Sequence, residues 1–187
     1  MGTVKEPSDA ELLKLDFEKM TCSELVDYII QKHHQYAFSA ISEIRAILEQ
    51  LVKMDKVNIE LKLMKDYFGF LANEFSLHMK KEELVLFPNV HKLVLAEANG
   101  TPYDQSGFGL IKSPASVMMA EHKTIGMMED KLMKLCSNMN VSDSGSDLFA
   151  ELYLELKVFD ADLQQHAYLE DEVLVPKLMV LMQVFPN

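Results

Sequence analysis

Little in this chain bends it or cross-links it. Seven glycines and six prolines in 187 residues gather in a few places, which suits long helices joined by a few loops. The two cysteines, Cys22 and Cys136, lie on different segments and make neither a disulfide framework nor a CxxC motif, so two reduced thiols are expected. Basic residues are scarce: 18 Lys and Arg face 29 Asp and Glu, a net charge of −11 that argues against nucleic acid or an anionic membrane as a partner. No apolar run reaches the length of about 18 residues that a membrane span needs. Met1 to Ala10 shows none of the basic, apolar or cleavage-site pattern of a secretory signal. The expectation is an intracellular, cytoplasmic protein, with an organelle left open.

What is present is helical periodicity. Residues 1–20 read as an N-terminal segment with a short helix from about Asp9 to Glu18, and residues 21–187 as one domain. Thr21 and Glu24 make a capping-box pattern at the start of a long helix, about Cys22 to Met54, whose buried stripe runs through Ile30, His34, Ala37, Ile41, Ile44, Leu48 and Leu51. A second helix, about Asn58 to Leu86, presents Leu61, Met64, Phe68, Leu71, Phe75, His78, Glu82 and Val85 on one side, and Pro88 should kink or interrupt it. Asn89 to Ala98 continues as a short helix, and Asn99 to Lys112 reads as the longest connection. A third helix is predicted from Ser113 as cap and Pro114 as first helical residue to about Cys136, with Met118, Met119, His122, Ile125, Glu129 and Leu132 inward. The fourth starts near Asp147, buries Leu152, Leu156, Phe159, Leu163, His166, Glu170 and Val173, and meets Pro176. The fold class this predicts is all-α, an up-down-up-down four-helix bundle.

The histidines impose a second pattern on the first. His34, His78, His122 and His166 recur at one interval of 44 residues, and His78 and His166 are each followed four positions later by a glutamate, Glu82 and Glu170. A shift of 88 residues superimposes His34 on His122, His78 on His166, Glu82 on Glu170, Glu74 on Asp162 and Pro88 on Pro176. Two copies of a helical hairpin, each with one lone histidine and one HxxxE pair, account for this. Residues four apart share a helix face, so each pair can point at one interior site. A lone histidine on an apolar stripe is usually core. Two HxxxE pairs with two more histidines in phase are not explained that way, because a carboxylate on a buried stripe with no Lys or Arg in phase wants a cation.

The donor set has a chemistry. Four imidazoles and two carboxylates are too many for one tetrahedral zinc and suit two ions of higher coordination number, each held by two histidines with Glu82 and Glu170 bridging. Mixed nitrogen and oxygen ligation favours iron, so two iron ions in an oxo- or hydroxo-bridged di-iron centre are expected. HExxH is absent, and the HxxxE spacing differs from the ExxH pairs of ferritin-like di-iron proteins. Glu74, one turn before His78, and Glu121, next to His122, are candidates to bond a ligand histidine, line an access path or relay protons. His33 points about 100° from His34 on a regular helix and is expected at the surface, as is His91 or else structural. The thirteen methionines read as core filling.

The stretches Ile30 to His34, His78 to Glu83 with Leu86-Phe87-Pro88, Ser116 to His122, and His166 to Glu170 resemble the Repair of Iron Centers proteins, hemerythrin-like di-iron proteins, over roughly residues 22–180. The resemblance implies His34, His78, His122 and His166 as terminal iron ligands, Glu82 and Glu170 as bridges, and Glu74 and Glu121 as acidic positions near the centre and its access tunnel. It implies a protein that restores iron–sulfur clusters damaged by nitric oxide or peroxide by donating iron, with iron–sulfur proteins as acceptors. Whether it also turns over a substrate as an enzyme stays open, and the alternatives are a hemerythrin-type binder or sensor of oxygen or nitric oxide, with small diatomic ligands, or a nitric-oxide reductase. Many members carry a small N-terminal domain with a cysteine pair, to which the resemblance does not extend.

Overall fold

The computed structural model describes residues 16–103, 109–139 and 146–185. The expected helix over Asp9 to Glu18 lies mostly outside these; what is described there is one 3-10 turn, Phe17–Lys19. The first rod begins as its sequence dictates. Thr21 Oγ1 accepts the Glu24 N–H at 3.2 Å while Glu24 accepts the Thr21 N–H at 2.8 Å, so two orphan donors are satisfied at once. α1 (Cys22–Tyr28) then passes through a π-helical turn (Ile29–His34) into α2 (Gln35–Met54). Asn58 caps α3 (Ile59–Lys81) through the Leu61 N–H at 3.1 Å. A second π turn (Glu82–Leu86) leads to α4 (Phe87–Asn99), which stops at Gly100. There the chain turns left-handed, at φ 61°, with Thr101 N–H on the Ala96 carbonyl at 3.0 Å and Gly100 N–H on Glu97 at 3.1 Å.

α5 (Gly109–Ser137) is the third rod, and α6 (Ser146–Tyr168), a third π turn (Leu169–Leu174) and α7 (Val175–Met182) form the fourth. α2 packs on α3 and α6, α3 on α5, and α5 on α6, which closes an up-down-up-down four-helix bundle. Two of the π turns sit where proline forbids a regular one. Pro88 and Pro176 have no N–H for the carbonyl four residues back, and those carbonyls, Leu84 and Glu172, lie inside the second and third π turns. Each rod therefore continues past its proline, at the cost of one widened turn.

Several expectations are corrected. α5 starts at Gly109, not at Ser113, so Pro114 falls inside the helix and Ser113 is not its cap. Leu110 and Ile111, apolar residues that continue the helical pattern, lie ahead of the cap-like pair. Val85 is 43% exposed and Met119 42% exposed, so neither belongs to the inner stripe. For Val85 the reason is the π turn, which rotates the chain less per residue and turns Leu86 inward in its place.

The interior divides into two apolar clusters. One, around Ile44, Leu48, Phe68, Phe75, Leu132, Leu156 and Phe159, fills the loop-facing length of the bundle. The other, around Leu25, Ile29, Phe87, Leu93, Leu174 and Leu178, fills the end built by α1, α4 and α7. Cys22 and Cys136 are free and buried in different clusters, and burial raises both thiols, Cys136 to about 11, which keeps them inert.

Glu129 is buried with both carboxylate oxygens unpartnered, and burial followed by repulsion from Asp160 and Asp130 pushes it up to about 8. Its native pKa lies above the ordinary 4.5, so the folded state holds this proton more tightly than the unfolded chain does. Stability is therefore highest below pH 4.5 and falls as pH rises from there through about 8, a change of order a few kcal/mol. Glu129→Gln is therefore expected to raise the melting temperature at pH 8.5 and to leave it nearly unchanged at pH 5, read by thermal denaturation at both values. An equal shift at both would contradict the assignment.

Candidate metal centre

Between the two apolar clusters lies one polar layer. His34 ends the first π turn, His78 sits in the last turn of α3, and Glu82 opens the second π turn. His122 lies midway along α5, His166 in the last turn of α6, and Glu170 in the third π turn. None of the six is more than 7% exposed. π turns are common at functional sites, and here three of them set ligand-type side chains into the same plane.

The inner nitrogens converge in two pairs. His34 Nε2 is 3.1 Å from His166 Nε2, and His78 Nε2 is 2.8 Å from His122 Nε2. Each carboxylate straddles both pairs. Glu82 places Oε1 2.8 Å from His78 Nε2 and Oε2 3.4 Å from His34 Nε2. Glu170 places Oε1 3.2 Å from His166 Nε2 and Oε2 3.2 Å from His122 Nε2. One donor atom each from His78, Glu82, His122, His166 and Glu170 lie within 4.8 Å of one another, and His34 joins them through His166 and Glu82.

The outer nitrogens explain why the inner ones are bare. His34 Nδ1 meets Glu83 at 2.8 Å, His78 Nδ1 meets Glu121 at 3.0 Å, and His122 Nδ1 meets Asp171 at 3.0 Å. A neutral ring that donates its Nδ1 proton to a carboxylate turns a lone pair inward at Nε2. All four oxygens of Glu82 and Glu170 are likewise buried without a hydrogen-bond partner, for none of their close approaches to imidazole has hydrogen-bond alignment. Lone pairs thus face lone pairs, and no Lys or Arg pairs with either glutamate among the described residues. A cation resolves that conflict. With a metal–nitrogen bond of about 2.1 Å, neighbouring ligands of an octahedron stand roughly 3 Å apart, the separation within each histidine pair. The donor set therefore fits two ions, and the buried His/Glu cluster is compatible with a di-iron centre.

The electrostatics agree. Burial, then the facing Glu170, raises Glu82 well above the usual carboxylate range, while Glu170, against the opposing effect of burial, is held well below it by His166 and His122. Burial disfavours the charged form of His122, but Asp171 and Glu170 outweigh it and push that ring up to about 10. Without a metal, protons do part of the cation's work. Burial lowers His78 and His166 instead, which keeps their lone pairs available.

The remaining sequence candidates fall into place unequally. Glu121 bonds both His78 and Lys81. Glu74 is exposed and makes no hydrogen bond or ion pair with a ligand-type histidine, but with Glu121, His78, Lys81, Thr124, Ile125 and Met128 it lines a cavity of about 90 Å³ beside the layer. His91 is bonded to Ser23 at 3.1 Å, away from the centre. His33 is not at the surface: it is 6% exposed and bonded to Asp162 at 2.8 Å. The wider turn of the first π segment brings His33 and His34 inward together, where a regular helix would part them. Glu83 and Asp171 are not among the site candidates that the sequence offers, although both lie in its matched segments. Their signal was available, since each follows a bridging-type glutamate and the 88-residue shift superimposes them.

Loading with ferrous iron is expected to reach two ions per chain. Glu170→Ala removes an oxygen from beside both histidine pairs and should abolish loading of both ions. His34→Ala touches one pair and should cost one ion. Metal analysis of the desalted variants checks this, and full loading of Glu170→Ala would contradict it.

Comparison with known proteins agrees with the geometry. The chain is 26% identical over 176 residues to the iron-sulfur cluster repair protein YtfE of Yersinia pseudotuberculosis, covering 93% of this chain and 72% of that protein. It is 25% identical, with the same coverage, to the iron-sulfur cluster repair protein YtfE of Yersinia pestis. The Hemerythrin HHE cation binding domain matches residues 25–178, which takes in all three π turns and all six inward-facing groups, and the chain belongs to that family.

Proposed function

We propose that this chain is a di-iron protein of the cytoplasm that repairs iron–sulfur clusters damaged by nitrosative or oxidative stress, by donating iron to iron–sulfur proteins. The observation that carries the reading is the buried layer of four imidazoles and two carboxylates, in a chain whose relatives are named for cluster repair. His34 and His166 would hold one ion, His78 and His122 the other, with Glu82 and Glu170 spanning both. Bound iron supplies the cargo and the redox chemistry.

The chain's own residues determine how that cargo is kept and released. Glu83, Glu121 and Asp171 orient three of the rings and strengthen them as donors. The two apolar clusters keep bulk water from the layer, and the cavity beside Glu74 and Glu121 offers a short path from solvent to His78. Lys81, which also lines this cavity, pairs with Glu121 and offsets its charge. Six protein donors leave coordination positions open, which favours release over permanent storage. Gly126, one turn after His122, adds no further side chain to the third rod. This favours donation over reversible oxygen binding, in which the metal must stay.

The iron-loaded chain, mixed with an apo iron–sulfur protein, sulfide and a thiol reductant, is expected to rebuild clusters, read by visible absorbance and recovered acceptor activity. Glu82→Ala should abolish the transfer. No transfer from a fully loaded chain, under conditions in which free ferrous iron does rebuild clusters, would refute donation.

A further inference from the structure

Three of the four inward imidazoles have a carboxylate on their outer nitrogen, and one does not. His166 Nδ1 is buried and has no hydrogen-bond partner. The internal repeat shows what stands in the missing place. His78 corresponds to His166, and its partner Glu121 corresponds, 88 residues earlier, to His33. Where the first histidine meets an acid, the second meets another imidazole.

His33 is built for that position. Its ring centroid lies 6.3 Å from that of His166, tilted by 51°, and the edge of Tyr28 holds it at 5.7 Å. Its Nδ1 is 2.8 Å from Asp162 Oδ1, and its Nε2 is buried with no partner. Two orphaned nitrogens, Nε2 of His33 and Nδ1 of His166, thus belong to neighbouring rings, and neither has a hydrogen-bond partner in the protein.

We propose that Asp162 and His33 together act as the positioning partner of His166. Asp162 accepts the Nδ1 proton of His33, which fixes the tautomer and leaves a lone pair on His33 Nε2; that lone pair receives the His166 Nδ1–H through one bridging water. A neutral imidazole accepts more weakly than a carboxylate, so His166 is the poorest donor of the four rings. The two metal positions are then unequal. The ion at His34 and His166 is held more loosely than the ion at His78 and His122, whose rings both rest on carboxylates, and it leaves first. This inference rests on the di-metal reading of the layer and not on the identity of any acceptor.

The test follows removal of iron from the ferrous-loaded full-length chain by a coloured ferrous chelator, after metal analysis has established two ions per chain. Failure to load two ions would sink the di-metal reading itself, before any question about His33 arises. With two ions bound, release is expected in two phases of equal amplitude. His33→Ala and Asp162→Asn should speed the first phase about tenfold and leave the second unchanged, whereas Glu121→Gln should speed the second. Mössbauer spectra of the loaded protein should show two doublets, of which His33→Ala moves one. A structural role alone would speed both phases alike and leave the spectrum unaltered. His33 is buried and its alanine variant can fail to fold, but the Asp162 side chain is 20% exposed, so Asp162→Asn keeps the question decidable. Single-phase release in the wild type, or equal acceleration of both phases by Asp162→Asn, overturns the proposal.

Discussion

Two carboxylates and four imidazoles share one buried layer in which their free lone pairs face each other. An ionised carboxylate taken out of water costs several kcal/mol unless a cation or donors compensate, and among the described residues no Lys or Arg does. The rest of the bundle can be understood from that constraint. Apolar clusters lie on either side of the layer, acidic residues hold the outer edges of three rings, and the inner nitrogens stand at the spacing of adjacent ligands on an octahedral ion.

The helices are adapted to the layer rather than ideal. Pro88 and Pro176 occupy corresponding places in the two halves, and each is followed back along its rod by a widened turn that carries a glutamate inward. The first rod has a π turn with no proline, and it buries two consecutive histidines. Its counterpart in the repeat, around His122, is regular helix, and there the residue before the histidine, Glu121, faces the cavity at the edge. The internal symmetry is thus approximate, and its departure at His33 and Glu121 falls beside the outer edges of the rings.

Much of this is legible in the amino-acid order itself. The interval of 44 residues, the two HxxxE pairs and the 3.6-residue stripes sufficed for the bundle and for the six residues brought together. What escaped has a common cause. The angle that holds for a regular α-helix places His33 outward and Val85 inward, and it fails inside a π turn. Glu83 and Asp171 receive no role from the sequence because, in the same idealised geometry, a residue adjacent to an inward-facing glutamate points away from it. Pro114 and Ser113 mimicked a helix start while the helix had already begun at Gly109. Glu129 was expected inside on periodicity alone, and nothing in that periodicity tells a carboxylate paired with a cation from one kept neutral by its surroundings.

Two cations in this layer are the condition on which the bundle's design depends. Anomalous diffraction from crystals of the iron-loaded chain, collected on both sides of the iron absorption edge, locates them directly. Two iron peaks are predicted, one between His34 and His166 and one between His78 and His122, each within bonding distance of Glu82 and Glu170. A single peak, peaks elsewhere, or a layer that holds no iron would contradict it.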